Sequence, residues 1–270
     1  MNNAQTQDTK PDFLYAEQRR NRIMDMVRAD GQVIVSDLCD LFQVSATTIR
    51  IDLTELERKG LLERTHGGAI PVQNARFELT SSEKSSKNTA SKAAIASEAM
   101  AFIHDGLSIA IDTGTTGLEL ARQLAVSGIP RLTVVTNDFV TAACLEQMES
   151  CQVVLLGGMV RPGFHCTTGT AVIRQLSELY IDLFFLATNG IDYTRGLSTP
   201  AQEIATIKQH MIAVSRRTIL LADRSKFGTN AFCKFADVAD VDVIISDQSK
   251  PDALENEPGL QHIRYVQAGK

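Results

Sequence analysis

The chain has 270 residues, 44% hydrophobic and 22% charged, without tryptophan; these are the proportions of an ordinary folded protein and exclude disorder as its main theme. At about 150 residues per domain the length predicts two domains, each able to bury a core. A formal net charge of −5 argues, over the whole chain, against nucleic acid as a partner, because phosphate contacts need lysine and arginine.

The opening MNNAQTQDTKPDFL has neither the basic nor the apolar region of a secretory leader. No stretch approaches the roughly 18 to 20 uninterrupted apolar residues of a membrane helix, so a cytoplasmic protein with no membrane segment is expected. The cysteines (Cys39, Cys144, Cys151, Cys166 and Cys233) and the histidines are scattered, without metal-ligand spacing. That predicts no disulfide framework, no metal site and no cofactor.

From Tyr15 to Ile70 the sequence reads as three short helices and a hairpin. Ile23, Met26 and Val27 repeat at helical spacing, with Gly31 as the stop. Leu38, Leu41 and Phe42 mark a second helix capped by Ser36; Ser45 caps a third, whose buried face is Ile49, Leu53 and Leu56 and which Gly60 ends. LLERTHGGAI reads as two extended runs around Gly67-Gly68. Two short helices joined by a tight turn describe a helix-turn-helix, whose second helix must be narrow and polar at its N-terminal end to enter a major groove about 12 Å wide. SATTIR meets that need: Ser45, Ala46, Thr47, Thr48 and Arg50 lie off the apolar face and suit base edges and phosphates, with Arg64 and His66 near the tip of an adjoining wing. By spacing alone, a three-helix packing or dimerisation module with a polar face is an alternative.

The run R19-R20-N21-R22-I23, the core VS-x-x-T-IR-x-DL-x-x-LE-x-x-G-L from Val44 to Leu61, and the R-x-H-GGA wing from Arg64 to Ala69 resemble the N-terminal DNA-binding segment of DeoR-family bacterial transcription regulators. The resemblance implies that Arg19, Arg22, Ser45, Ala46, Thr47, Thr48, Arg50, Arg64 and His66 face double-stranded operator DNA. Ile51 stands where many members carry a basic or polar residue. From Tyr15 to Ile70, eight basic side chains meet nine acidic ones, so this domain is nearly neutral and its binding must depend on where the arginines point.

Pro71 to Lys87 is polar and Ser-rich and reads as a connector. A helix is predicted from about Asn88, opening a second domain that runs to about residue 260. The apolar runs LSIAID, LTVVTN, CQVVLLGG, IDLFFLATNG, RTILLAD and VDVIISD alternate with helical segments, which predicts an α/β domain with a mostly parallel sheet. Ligands bind such sheets at the carboxyl ends of the strands, and Asp112, Asn137, Gly157-Gly158, Asn189, Asp192 and Asp223 each follow an apolar run.

Three loops carry chemistry. In D112-T113-G114-T115-T116-G117 the glycines let backbone approach an anion, the threonines donate to it and a helix N-terminus follows; read alone it is also an ordinary tight strand-helix turn. In A222-D223-R224-S225-K226-F227-G228, Lys226 beside Ser225 offers a charge and a hydroxyl to a phosphate, though a solvated loop reads the same way. Asp192, Glu203 and Lys208 can hold sugar hydroxyls, though Glu203 and Lys208 read equally as exposed helix residues.

The elements D-x-GTT, V-x-TN, GG-x-x-R, FF-x-x-x-NGID, G-L-S-T-x-x-x-E and AD-x-SKFG extend the resemblance to the family's C-terminal effector domain. The implied architecture is an N-terminal winged helix-turn-helix plus a C-terminal α/β domain resembling ribose-5-phosphate isomerase, in a repressor of sugar-utilisation genes that responds to a phosphorylated sugar. By matching motif, Gly114, Thr115, Thr116 and Lys226 would hold the phosphate, Asp112, Asn137, Asp192 and Glu203 would line the sugar side, and Gly158, Arg161 and Lys208 would join them. A homodimer or homotetramer placing two recognition helices on a repeated operator is expected. The alternative is a sugar-phosphate isomerase-like enzyme, using Asp192, Glu203 and Lys208 to move a proton and steady an enediolate. Such an enzyme gains nothing obvious from a helix-turn-helix, whereas a sensor gains an output; no enzymatic activity is expected.

Overall fold

The structure, a computed structural model, describes residues 16–30, 32–59, 61–65, 67–71 and 78–269. It divides into two compact units, Met1–Gln73 and Asn74–Lys270. Among the described residues no helix is long and apolar enough to cross a membrane.

In the first unit, α1 (Ala16–Asp30) is followed by β1 (Val33–Ile34), α2 (Val35–Phe42), α3 (Ala46–Arg58), β2 (Leu62–Arg64) and β3 (Gly68–Pro71). The expected apolar stripes meet in one core of Ile23, Val27, Leu38, Ile49, Leu53, Leu56 and Leu62. β3 pairs antiparallel with both β1 and β2, and a Cβ at Gly68 would lie 1.8 Å from the Val33 carbonyl oxygen, so only glycine lets these two strands meet. Ser45 caps α3 as expected, accepting from the Thr48 amide at 3.2 Å. Ser36 does not cap α2: the helix starts two residues earlier behind Ile34, and the Ser36 hydroxyl donates to Asp37. Gln43, left-handed at φ 51°, closes α2 and turns the chain into α3.

The second unit holds α4 (Ser81–Ser85), α5 (Thr89–Met100), β4 (Ser108–Ile111), α6 (Thr115–Ala125), β5 (Leu132–Thr136), α7 (Phe139–Leu145), β6 (Cys151–Leu155), β7 (Met159–Arg161), β8 (Cys166–Thr168), α8 (Thr170–Leu176), β9 (Ile181–Ala187), β10 (Gly190–Asp192), β11 (Gly196–Thr199), α9 (Gln202–Val214), β12 (Ser215–Leu221), β13 (Cys233–Ala236), β14 (Val243–Ser246), α10 (Ala253–Asn256) and β15 (Arg264–Gln267). Seven of these strands form a sheet in the order β15-β14-β12-β9-β4-β5-β6, every pairing parallel. The sheet is covered on both faces, which is why its strands read as unbroken apolar runs: on central β9, Phe184 packs into one core with Leu176 and Met211, and Phe185 into the other with Ile95 and Leu120. β15 lies beyond the expected end at residue 260. The segment expected as a connector to Lys87 is also different: from Glu78 onward it folds on the second unit, with a Thr80–Glu83 capping box opening α4 and the Ser81 amide donating to the Gly163 carbonyl.

The first unit rests on one buried charge. Asp52 on α3 is 1% exposed and accepts from Arg19 Nε at 2.5 Å and Arg20 Nε at 2.8 Å, both on α1. Asp52→Ala leaves these arginines without their carboxylate and should destabilise the unit by about 3 kcal/mol. Hydrogen exchange of α1 and α3 checks it; unchanged protection would show the pair to be dispensable.

Candidate nucleic-acid interface and anionic-ligand cleft

On α3, Thr47, Arg50, Ile51 and Thr54 are exposed and recur at i, i+3, i+4 and i+7, opposite buried Ile49, Asp52, Leu53 and Leu56. The wing joins this face: the Arg64 guanidinium donates to Thr54 Oγ1 at 2.9 Å, and that hydroxyl donates to the Arg50 carbonyl at 2.7 Å. Ser45 and Thr48 spend part of their hydrogen bonding on the helix start, their hydroxyls 2.9 Å apart, and Ala46 is half-buried. Arg22 is exposed on α1. Arg19 is not part of this surface: it is 8% exposed and committed to Asp52. His66 lies outside the described residues. Thr54 went unrecognised as a member of the stripe, although it sits two helical turns from Thr47 in the sequence.

In the second unit the loops after β4, β9 and β12 surround a cleft of about 440 Å³ at the carboxyl edge of the sheet. Gly114, at φ 118°, turns the chain into α6, so Thr115 and Thr116 enter the cleft on a helix N-terminus. Lys226 lines it from the 3-10 turn Arg224–Lys226, and Lys208 reaches it from α9 while only 3% exposed. Arg161 stacks over the Phe164 ring at 3.7 Å. Thus Gly114, Thr115, Thr116, Arg161, Lys208 and Lys226, expected from the sequence, are brought together.

The other candidates are elsewhere. Asp112 is 2% exposed and its carboxylate is spoken for, accepting from the Thr113 and Ala187 amides and from Lys208. Asn137 is buried behind the cleft, its amide donating to the Thr167 carbonyl at 2.9 Å to pin β8 beside the end of β5. Gly158 is a packing residue, because a Cβ there would meet the Thr168 carbonyl oxygen at 2.4 Å. Asp192 holds the β10–β11 turn, accepting from the Thr194 and Arg195 amides. Glu203 is half exposed in the first turn of α9, 3.7 Å from Arg161, and is not among the lining residues.

What the sequence reading missed is the strap from Glu78 to Lys92. Glu78, Lys84, Lys87 and Lys92 all line the cleft. The Glu78 carboxylate accepts from Lys84 at 2.7 Å and lies 2.9 Å from Arg161. Burial pushes its pKa up, but Lys84 and Arg161 outweigh burial and hold it below the usual carboxylate value. Lys84 and Lys92 are both pushed below the usual lysine value, by burial above all, with Lys226 and Lys208 adding to it at Lys84 and Lys226 and Lys84 adding to it at Lys92. Lys92 caps the strap, donating to the Lys84 and Lys87 carbonyls. Five lysines and an arginine therefore face one cleft against Glu78 and Asp223, and the Asp223 carboxylate is itself occupied by Ser225 and Asn88.

Residues 19–74 match the family described as the DeoR-like helix-turn-helix domain, and residues 87–248 match the DeoR C terminal sensor domain. The chain belongs to the DeoR family. This DeoR-family chain is 35% identical to the HTH-type transcriptional regulator GlpR of Haloferax volcanii, over 85% of its own length and 89% of the relative's. It is 33% identical to a putative aga operon transcriptional repressor of Escherichia coli O157:H7, over 88% and 89% of the two chains. Among solved structures, ribose 5-phosphate isomerase A of Methanocaldococcus jannaschii matches 52% of this chain and 55% of its own, at 18% identity and a TM-score of 0.39, too distant to bear on function. The DeoR-family chain is a DNA-binding transcriptional regulator and not an enzyme. Of the three groups named for the enzyme alternative, Lys208 lines the cleft, and Asp192 and Glu203 are not among its lining residues.

The lowered lysines set a pH dependence for anion binding. A bound dianion favours the charged forms of Lys84 and Lys92 and so raises their pKa values, which means binding takes up protons. Above about pH 8 a phosphate monoester is already fully ionised, so affinity should fall as pH rises through the lowered lysine range. Above about pH 8, titration calorimetry of inorganic phosphate in buffers of different ionisation enthalpy should show net proton uptake that grows as pH rises; proton release throughout that range would contradict the assignment.

Proposed function

We propose that this regulator represses a carbohydrate-utilisation operon, and that a phosphorylated sugar in the cleft of the second unit changes its affinity for operator DNA. The observation that carries this reading is the concentration of Lys84, Lys87, Lys92, Lys208, Lys226 and Arg161 around the start of α6. A helix N-terminus with two threonines and several cations suits a phosphate, and the neutral partners Asn189, Thr199 and Asn230 suit hydroxyl groups. Operator contact falls to Arg50, Thr47, Thr48, Arg64 and Arg22, with Ser45 and Ala46 setting the helix start. A homodimer or homotetramer would present two copies of α3 about one helical turn of DNA apart, or a multiple of it. The effector shifts the equilibrium only by binding more tightly to one conformation than to the other. The site of action is then the cytoplasm, where operator and phosphorylated sugars meet.

A thermal-shift screen of phosphorylated sugars, each beside its unphosphorylated counterpart, tests the ligand class, since a ligand of the folded state raises its stability by mass action. Stabilisation by at least one phosphorylated member and not by its counterpart is expected; stabilisation by unphosphorylated sugars alone overturns the reading. Lys226→Ala should leave operator binding intact while weakening phosphosugar binding at least tenfold, by roughly 1.5 kcal/mol or more for a lost charged hydrogen bond. Arg50→Ala should do the reverse, and unchanged operator affinity would remove Arg50 from the interface.

A further inference from the structure

The stripe of α3 that carries Thr47, Arg50 and Thr54 also carries Ile51, which is 59% exposed. Single apolar residues are ordinary on protein surfaces, and Ile34, Leu41 and Leu61 of the same unit are exposed as well. The neighbours of Ile51 set it apart. Arg50 precedes it, Thr54 follows at the next turn on the same face, Thr47 lies one turn before, and Arg64 reaches across from the wing to Thr54. Among the described residues Ile51 is the apolar member of a stripe otherwise made of hydroxyls and guanidinium groups, the composition that suits a duplex groove. Its β-branched side chain has essentially one rotamer on a helix, so its methyl groups stand in fixed positions and lose little freedom on contact. In the major groove the apolar group that a base pair offers is the thymine C5-methyl.

We infer that Ile51 is a specificity-determining residue that packs against a thymine C5-methyl at one fixed position of each operator half-site. It thereby selects thymine over cytosine there, beside the polar contacts made by Arg50 and Thr47. The inference rests on α3 being the recognition helix, and its test separates the two ideas. The full-length chain is used to enrich duplexes from a random-sequence DNA library, and each thymidine of an enriched duplex is then replaced singly by deoxyuridine, which removes only the methyl group. At one position per half-site the replacement should weaken binding roughly fourfold, the weight of one buried methyl-sized group. Elsewhere it should change nothing. Ile51→Ala should bind the thymidine and deoxyuridine forms of that position equally, whereas Ile51→Val should keep the preference. Arg50→Ala should bind more weakly and still prefer thymidine. Because Ile51 is 59% exposed, both Ile51 variants should melt close to the parent chain. If every deoxyuridine duplex binds like its parent, or if Ile51→Ala retains the preference, the thymine contact is overturned while α3 remains the recognition helix. A library that enriches no sequence overturns the recognition-helix reading and the contact with it.

Discussion

One buried ion pair organises the second unit. Lys208, on α9, donates to the Asp112 carboxylate at the end of β4 and, at 2.8 Å, to the Ala187 carbonyl at the end of β9, while the Ala187 amide donates back to Asp112. Two charges this far from water persist only with strong mutual and backbone hydrogen bonding. The network therefore holds two central strands and the helix that covers them in a single arrangement, at the edge of the sheet where the cleft opens. Lys208 is both structural and, through its place in the lining, part of the cleft's positive potential.

Above that floor the cleft is closed by a strap whose chemistry is mostly charge. Glu78 is an internal anion between Lys84 and Arg161, yet the cations outnumber it, and Lys84 and Lys92 are uneasy in their charged forms because burial and neighbouring lysines oppose them. The proposed phosphate would add the negative charge that this arrangement lacks. Electrostatic interactions of this kind are stronger in a partly desolvated cleft than at an open surface, and the helix dipole of α6 acts in the same direction.

The first unit handles its charges in the opposite way. It is nearly neutral in composition, and several of its basic residues are turned inward or paired: Arg19 and Arg20 on Asp52, Arg58 on Glu55. Arg22, Arg50 and Arg64 remain exposed on elements that can face DNA. On the proposed reading of the interface, so few outward-facing cations give modest nonspecific affinity with a shallow salt dependence, and discrimination falls to the exposed stripe of α3. The overall charge of −5 is therefore no obstacle to reading nucleic acid, because direction rather than number decides what a phosphate meets.

Local pattern was enough for much of this molecule. Helical spacing placed α1 and α3, the Ser45 cap fixed the start of α3, and unbroken apolar runs identified β4, β5, β9, β12 and β14 as buried strands, and β6, at the sheet edge, as a strand. That the glycine-threonine loop and the Lys226 turn line the strand-end cleft was legible because a glycine-rich strand-to-helix turn has a short-range signature. The short strands β7, β8, β10, β11 and β13 were not, since each is only three or four residues long and is stabilised by partners distant in sequence. The same limit explains the site. Asp112 and Asn137 look like ligand groups in sequence, but whether a polar side chain faces a ligand or a neighbouring strand depends on what lies across from it, and here Lys208 and Thr167 do. Arg19 likewise turns inward because Asp52, thirty-three residues away, is buried beneath it. The strap looked like a linker because lysine, serine and glutamate without periodicity are what linkers contain. The sequence by itself determined the two units, their longer elements and the strand-end turns at Gly114 and Lys226, which rest on contacts within a few residues. Only the tertiary structure decided which charges face the cleft, because burial and ion pairing are properties of residues that the chain brings together from far apart.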